Sequence, residues 1–304
     1  MGPLLCPLGA YPNSRRWTGI GIKLCAAALG LLFSGAPVAG EPRQALRPQR
    51  IMSINLCTDL LLLDLVPPGR ISSLYYFSRE RKHSELPASA DHIAVNYGTS
   101  EDVVREQPDL VLGGLYTALA TRRVIEAAGV PLLAIAPANN FQAIRDITSQ
   151  VGHAVGEDER ARQIIASMDA TLARLAATAP AQPIRVVGWD GGDYVPGRDS
   201  LFDAIISAAG AVNVGAAPGL RSGRFDLERL LTARPDLIAY GDATVATPSI
   251  RGGLLMQPLV QRLYSGRQIV YPDLLYTCGV PESADAAAQV RALMLRALHS
   301  RPIP

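Results

Sequence analysis

The chain has 304 residues, enough for two domains of ordinary size, and its 48% hydrophobic and 18% charged residues exclude an intrinsically disordered protein. A formal net charge of +2 and an aromatic content of 6% provide neither a strongly basic surface nor many stacking platforms. We therefore expect no nucleic acid among its partners.

The first 40 residues have the order of an export signal. Two arginines and Lys23 precede an apolar run at residues 24–33 that is too short to span a bilayer, and small residues follow up to Gly40. We therefore predict a signal peptide at residues 1–40 that is cleaved near Gly40. The arginine pair is compatible with both the general secretory route and the twin-arginine route.

The first half of the exported chain alternates short apolar runs with amphipathic segments. In chain order, the pattern predicts strand 50–54, a helix to residue 65 capped by Thr58 or Asp59, and strand 71–75. Residues 99–114 then contain a capped helix, a Pro-Asp turn and a buried strand. Helix 118–128, strand 132–135 and helix 141–151 follow. Residues 76–95 are polar and irregular, which is typical of a functional loop. This alternation predicts a parallel sheet covered by helices on both faces.

A long helix is predicted at residues 157–177, because its apolar residues recur at helical spacing and it contains neither glycine nor proline. The alternation then resumes, with strand 184–189, helix 200–209, a helix, turn and strand across 225–241, strand 268–271 and helix 284–298. We predict two α/β lobes on a stiff helix: an N-terminal lobe at 41–152, a linking helix at 153–180 and a C-terminal lobe at 181–304.

A short sequence repeat connects the two predicted lobes. The matching positions, at an offset of 127 residues, are Glu101 with Glu228, Val103 with Leu230, Val104 with Leu231, and residues 108–110 with 235–237. We interpret the repeat as one structural unit that occurs once in each lobe.

Two such lobes on one helix enclose a cleft, and the loops after the carboxyl ends of parallel strands line a crevice of this kind. The candidate ligand-binding residues on these loops are aromatic or polar: Asn55, Tyr76, Tyr116, Trp189, Tyr194, Asp242 and Tyr276. Such side chains suit a bulky ligand that is held by stacking and hydrogen bonds.

The chain resembles the periplasmic substrate-binding proteins of ABC importers, in the helical-backbone class that carries vitamin B12, iron–siderophores and haem. The resemblance covers about residues 50–300. It depends on the opening strand and turn at 51–57, the Glu-x-Val-Val-x-x-x-Pro-Asp-Leu-Val segment, the repeat of that segment in the second lobe and the long linking helix. It implies an α/β fold of two Rossmann-like lobes with parallel sheets joined by one long α-helix, and a periplasmic monomer that binds a small-molecule chelate.

The resemblance also implies a partner, an ABC importer permease in the inner membrane. In the vitamin B12-binding members, one acidic residue on each lobe docks onto arginines of the permease, and Glu101 and Glu228 stand at the matching positions. A carboxylate at the start of a short helix also stabilises the helix dipole, and the two roles are compatible.

The resemblance leaves the ligand open. Tyr97 lies where vitamin B12-binding relatives place a stacking tryptophan, and this departure argues against vitamin B12 itself. Haem-binding members use a tyrosine in this neighbourhood with an arginine close behind, which Tyr97 lacks. Arg221 and Arg224 either face the anionic groups of a siderophore or are solvated loop charges. We expect an iron–siderophore or a cobalamin-like chelate, with haem as the alternative.

Two further alternatives remain open. His83 and His92 are close in sequence, so a bare divalent-metal binder is one of them, although ordinary loop histidines are the simpler interpretation. An exported enzyme is the other, but the chain has no Gly-x-Ser-x-Gly elbow, no His-Glu-x-x-His motif and no phosphate loop, and Asp190 and Asp193 are typical turn residues. We predict no catalytic residue, no resident metal and no cofactor.

Cys57 and Cys278 are the two cysteines that remain after residues 1–40 are removed. In an oxidising compartment they form either a disulfide bond or two buried free thiols, and the sequence is compatible with both. A disulfide would tie the first lobe to the second, near the hinge or across the cleft.

Overall fold

The computed structural model describes residues 47–79, 86–189, 194–217, 223–224, 226–242, 258–272 and 274–299. These residues form two α/β lobes, each built on a parallel sheet, so the predicted fold class is confirmed. The predicted signal peptide at residues 1–40 lies outside the described residues. The boundaries of the lobes, at 41–152, 153–180 and 181–304, remain predictions.

The N-terminal lobe contains five strands: β1 (Ile51–Ser53), β2 (Ile71–Tyr75), β3 (Ala94–Asn96), β4 (Leu110–Gly114) and β5 (Leu132–Ile135). They pair in parallel in the order β3-β2-β1-β4-β5. Its helices are α1 (Leu56–Leu65), α2 (Ser100–Glu106), α3 (Leu119–Ala127) and α4 (Phe141–Val155). Because the strands are parallel, their carboxyl ends meet at one edge of the sheet.

Helix α5 (Asp158–Ala177) connects this lobe to the next. The second sheet contains β6 (Ile184–Trp189), β8 (Ala211–Asn213), β10 (Leu237–Gly241) and β11 (Gln268–Tyr271), in the parallel order β11-β10-β6-β8, and β7 (Tyr194–Val195) pairs with β9 (Gly223–Arg224) in a short antiparallel ribbon. The helices are α6 (Leu201–Ala208), α7 (Leu227–Ala233), α8 (Pro258–Leu263), α9 (Leu274–Thr277) and α10 (Ser283–His299). None of the helices in the described part of the chain is long and apolar enough to cross a membrane.

The Pro-Asp turns of the sequence repeat have the same structural role in both lobes. The Asp109 carboxylate accepts a hydrogen bond from the Arg50 backbone N–H at 3.0 Å, and the Asp236 carboxylate accepts one from the Arg185 N–H at 3.0 Å. Each aspartate therefore ties the strand that follows its turn to the start of the neighbouring central strand.

Two buried arginines hold the opposite ends of α5. The Arg70 guanidinium donates to Oε1 of Glu157 at 2.5 Å and to the Val155 carbonyl at 2.6 Å, just before the helix begins. The Arg291 guanidinium donates to Oγ1 of Thr178 at 3.0 Å, just after the helix ends. Because a buried guanidinium that loses a partner is costly, these contacts fix both ends of the link between the lobes.

The start of helix α1 differs from the prediction. Asn55, rather than Thr58 or Asp59, caps the helix, because its Oδ1 accepts from the Cys57 N–H at 3.0 Å and the Thr58 N–H at 3.4 Å. Asp59 is instead fully buried and accepts from the Tyr75 N–H at 3.0 Å. The capping residue lies two residues after the end of β1, three residues before Thr58 and four before Asp59.

Strands β3, β7, β8 and β9 were not predicted, and β3 and β7 begin inside segments that the sequence indicated as loops. Each has two or three residues, too few to show a clear alternation of apolar and polar side chains. Helix α4 is also longer than predicted and ends at Val155, where Gly156 takes a left-handed φ of 73°.

Candidate functional site between the lobes

An open cavity of about 410 Å³ lies at the carboxyl ends of the five N-terminal strands. Its lining comes from the segments that follow each of these strands, and includes Asn55, Tyr75, Tyr97, Tyr116 and Asn139. Thr277 and Gly279 of the C-terminal lobe complete it. The cavity is therefore the cleft between the lobes, at the edge of the sheet where the topology predicts a ligand site.

Three tyrosines, Tyr75, Tyr97 and Tyr116, line the cleft wall. The side chains of Tyr97 and Tyr116 are 65% and 84% exposed, although large aromatic side chains are usually at least partly buried. Tyr97 packs on Tyr76, with ring centroids 5.3 Å apart, and Tyr76 packs edge-on against Tyr75 at 4.8 Å. Burial, followed by the interaction with Tyr76, raises the pKa of the Tyr75 phenol, so this group stays neutral.

The polar groups of the cleft are amides and hydroxyls. Asn55 uses its Oδ1 to cap helix α1, so the donor that it offers to a ligand is the Nδ2 amide. Thr117, Thr121 and Asn139 add further polar groups. None of the described lining residues is charged. This wall is therefore suited to stacking and neutral hydrogen bonds rather than to ion pairing.

The two lobes meet at the base of the cleft. Cys57, which lines the cavity, forms a disulfide bond with Cys278 of the C-terminal lobe, and the two Cα atoms are 5.2 Å apart. The next residue, Gly279, approaches the backbone of Ala138 so closely that a Cβ at position 279 would overlap the Ala138 carbonyl group. A covalent bond and a tight backbone contact thus join the lobes beside the cavity.

The structure corrects the prediction for Trp189. Its side chain is fully buried in a second hydrophobic cluster of the C-terminal lobe, together with Val187 and Tyr240. Side chains two residues apart lie on the same face of a strand, and in β6 the face that carries Val187 and Trp189 packs into the core. Trp189 therefore has no surface with which to contact a ligand.

Tyr276 is also placed differently from the prediction. It belongs to helix α9 and packs on Tyr271 and Phe202, with ring centroids 4.1 and 5.7 Å away. Its hydroxyl group is buried, and burial raises its pKa. Tyr276 is not among the residues that line the cavity, whereas its neighbour Thr277 is.

The remaining candidates belong to the C-terminal side. Tyr194 is 41% exposed on β7 and Asp242 is exposed just after β10, but neither lines the described part of the cavity. Arg221 lies outside the described residues. Arg224 forms part of β9, and its side chain lies outside the described part of the structure. The roles of these four residues remain predictions.

Glu101 and Glu228 are both exposed and occupy the first turns of α2 and α7. Thr99 caps α2 and Asp226 caps α7 through their side chains. Hydrogen bonds from its own backbone N–H, and then from Ser100, lower the pKa of Glu101, so this carboxylate is charged at neutral pH. The Glu101 carboxylate accepts a hydrogen bond from the Ser100 hydroxyl at 3.3 Å, and Glu228 lines an open cavity on the C-terminal lobe.

The described lining of a larger cavity, of about 820 Å³, comes from the C-terminal lobe, beside β8, α6 and α7. It is not a candidate for the cleft site, because a site between the lobes needs residues from both. Among the described residues, no three His, Cys, Asp or Glu side chains form a group that could hold a metal ion. His83 lies outside these residues, and His92 is exposed on a turn.

The sequence analysis missed the contribution of Thr277 and Gly279. The signal that would have found them is the cysteine between them, because a disulfide to Cys57 brings both neighbours to the carboxyl end of β1. It also missed Leu115 and Thr117, which follow the glycines that end β4.

A family model described as periplasmic binding protein matches residues 66–266. The periplasmic haem-binding protein RhuT from Roseiflexus sp. RS-1 is 23% identical, has a TM-score of 0.68, and the match covers 82% of this chain and 98% of that one. The periplasmic haem-binding protein HutB of Vibrio cholerae is 16% identical with a TM-score of 0.68, and the match covers 81% of this chain and 98% of that one. The periplasmic vitamin B12-binding protein BtuF of Vibrio cholerae is 15% identical with a TM-score of 0.64, and the match covers 83% of this chain and 98% of that one. Such identities establish the fold alone, and no curated protein sequence matches the chain.

Proposed function

The chain belongs to the periplasmic binding protein family, and on this premise we propose that it captures a bulky metal chelate in its cleft and delivers it to an ABC permease of the inner membrane. The chelate is an iron–siderophore or a cobalamin-like compound. The protein acts as a periplasmic monomer without a catalytic residue.

The observation that carries this proposal is the exposed tyrosine pair on a cleft wall whose described residues are uncharged. Tyr97 and Tyr116 line the cavity with largely exposed side chains, and Asn55 adds a neutral donor. Rings of this kind bind planar or aromatic ligands by stacking, with a gain beyond the area that they bury. Arg221 and Arg224 would supply positive charge from the opposite lobe to an anionic chelate.

Delivery of the chelate to the permease uses exposed residues outside the cleft. Glu101 and Glu228 dock onto cationic side chains of the permease, one glutamate on each lobe. The α5 link and the Cys57–Cys278 bond restrict how far the lobes move, so closure over the ligand is modest.

Haem is the second candidate, and Tyr97 is the residue that favours it. Its phenol group is exposed in the cleft, where it would serve as an axial iron ligand, and the structural relatives RhuT and HutB are described as haem-binding proteins. Replacement Tyr97→Phe separates the two candidates. It removes an iron ligand but keeps a stacking ring, so it abolishes a tyrosine–haem absorption spectrum and leaves the binding of a stacked chelate largely intact.

The first experiment is a thermal-shift titration of residues 41–304 with cobalamin, cobinamide, haem, several ferric siderophores and bare divalent metals. Stabilisation by one chelate at micromolar concentration supports the proposal. A response to a bare metal alone, or turnover of the chelate, contradicts it. Because Trp189 is buried, we follow binding by the ligand's visible absorption rather than by contact quenching of this tryptophan.

The docking role is tested by Glu101→Lys combined with Glu228→Lys. We expect this variant to bind the chelate like the wild type and to lose uptake in cells that lack the native gene. A purified variant that no longer binds the chelate would sink the assignment of these residues to docking.

A further inference from the structure

The residues shared by the two copies of the sequence repeat fall into two groups when their surroundings are compared. Val103 and Leu230 are fully buried, and so are the leucines that begin β4 and β10, so these matches serve the two cores. The Pro-Asp pairs form the turns whose aspartates hold the central strands, at Asp109 and Asp236. The fold alone explains why these positions match.

Two matched pairs have no such explanation. Glu101 and Glu228 are exposed, and so are Val104 and Leu231, which are 54% and 37% exposed. A single exposed valine or leucine is ordinary on a protein surface. An apolar side chain that stays exposed at the same position in both copies, three residues after an exposed glutamate, is a repeated surface feature.

The spacing places the glutamate and the apolar residue side by side. Residues three apart on an α-helix are neighbours on one face, so Glu101 and Val104 form one patch on α2, and Glu228 and Leu231 form its counterpart on α7. Each patch combines a carboxylate with an apolar side chain that keeps 54% (Val104) or 37% (Leu231) of its surface exposed.

We infer that Val104 and Leu231 are contact residues for the permease and that each patch fits a socket in which a cationic side chain adjoins an apolar surface. This inference rests on the proposed docking function and adds to it the apolar half of each contact. Because the two lobes of one chain display the same patch, the partner presents the same socket twice, as two equivalent permease subunits do. The glutamates supply charge complementarity, and the apolar residues supply contact area that leaves water on docking.

Salt separates the two halves of this contact. Exposed ion pairs weaken as ionic strength rises, whereas the burial of apolar surface does not. The loss of binding caused by Glu101→Lys with Glu228→Lys should therefore be largest at low salt. The loss caused by polar residues at 104 and 231 should persist at high salt.

The test measures binding of fluorescently labelled, chelate-loaded protein to spheroplasts of the native host, whose exposed membrane face carries the permease. The variant is Val104→Ser with Leu231→Ser. A matched control is Val124→Ser with Leu259→Ser, which replaces one valine and one leucine on helices of the same two lobes, at exposures of 40% and 43%. Thermal denaturation and chelate titration accompany each variant.

We expect the Val104/Leu231 variant to bind spheroplasts about tenfold more weakly than the wild type at both low and high salt, with unchanged chelate affinity. Binding equal to that of the Val124/Leu259 control would overturn the inference, even where the Glu101/Glu228 variant fails to bind and the docking function stands. If the wild type shows no saturable binding, or the glutamate variant binds like the wild type, the docking function fails and the inference fails with it.

Discussion

Gly279 and Ala138 belong to different lobes and meet at the base of the cleft, where a Cβ at position 279 would overlap the Ala138 carbonyl. The contact adjoins the Cys57–Cys278 bond, so the two lobes are in van der Waals and covalent contact at one place. This position therefore couples the packing of the protein to the geometry of its ligand site.

Replacement Gly279→Ala should destabilise the protein by about 1–3 kcal/mol, because the added methyl group meets backbone that cannot rotate away. It should also weaken chelate binding, since the lobes must separate at the base of the cleft. Thermal denaturation and chelate titration measure the two effects. Gly69→Ala is the matched control, because no atom lies within 4 Å of a Cβ there. Equal stability of the two variants would show that the contact is not tight.

Reduction of the Cys57–Cys278 bond should lower the free energy of unfolding by about 3–5 kcal/mol, because the bond closes a loop of more than two hundred residues. Mass spectrometry should show a gain of two hydrogens on reduction, and urea denaturation with and without dithiothreitol measures the loss. A variant with Cys57→Ser and Cys278→Ser should be insensitive to the reductant. A purified protein that already has the dithiol mass would contradict the bond.

Replacement of Tyr97 or Tyr116 by alanine should weaken chelate binding about tenfold, because each exposed ring lines the cleft and is available for stacking. Since both side chains are largely exposed, the free energy of unfolding should change by less than about 0.5 kcal/mol. The chelate that stabilises the wild type is the probe, titrated by visible absorption. Unchanged affinity in both variants would remove the tyrosine wall from the site.

The stability of the protein should fall as pH rises toward 8. Burial raises the pKa of the Asp59 carboxyl group to about 8, so the folded state holds a proton there that the unfolded state releases near pH 4. The stability that the protonated Asp59 provides is complete below about pH 4. It is lost as pH rises through about 8, at up to about 1.4 kcal/mol for each pH unit.

Asp59→Asn isolates this effect, because asparagine keeps a carbonyl oxygen for the Tyr75 N–H and has no proton to lose. The free energy of unfolding of the variant, measured by urea denaturation, should fall less than that of the wild type between pH 5 and pH 8. Glu282, whose pKa burial also raises, should leave a residual slope in both proteins. Parallel pH profiles would show that Asp59 does not hold the proton.

The sequence identified the parallel sheets, the linking helix and the edge of the sheet that forms the cleft, because apolar periodicity and strand order carry this information. Asn55 and Tyr116 follow predicted strands and line the cavity, whereas Tyr97 was placed there by the family resemblance, and the roles of all three toward a ligand remain predictions. The alternation of residues along a strand does not show whether its last side chain faces the core or the cleft. The packing of β6 against its neighbours places Trp189 in the core, so the prediction for this residue was wrong.

The contacts between the lobes could not be predicted for a different reason. Thr277 and Gly279 reach the N-terminal lobe only because the chain folds back over a separation of 221 residues between Cys57 and Cys278. No local pattern reports such a contact. The sequence supplied two cysteines and left open whether they pair.

The separation between these cysteines also sets the order in which the protein matures. The bond cannot form until residue 278 has been made, so oxidation of the pair comes after nearly all of the chain has been synthesised. Within residues 41–304 there are no other cysteines, so only one intramolecular pairing exists. In the predicted mature chain of residues 41–304, an oxidant is therefore sufficient for this step, and a disulfide isomerase has no wrong intramolecular pairing to correct.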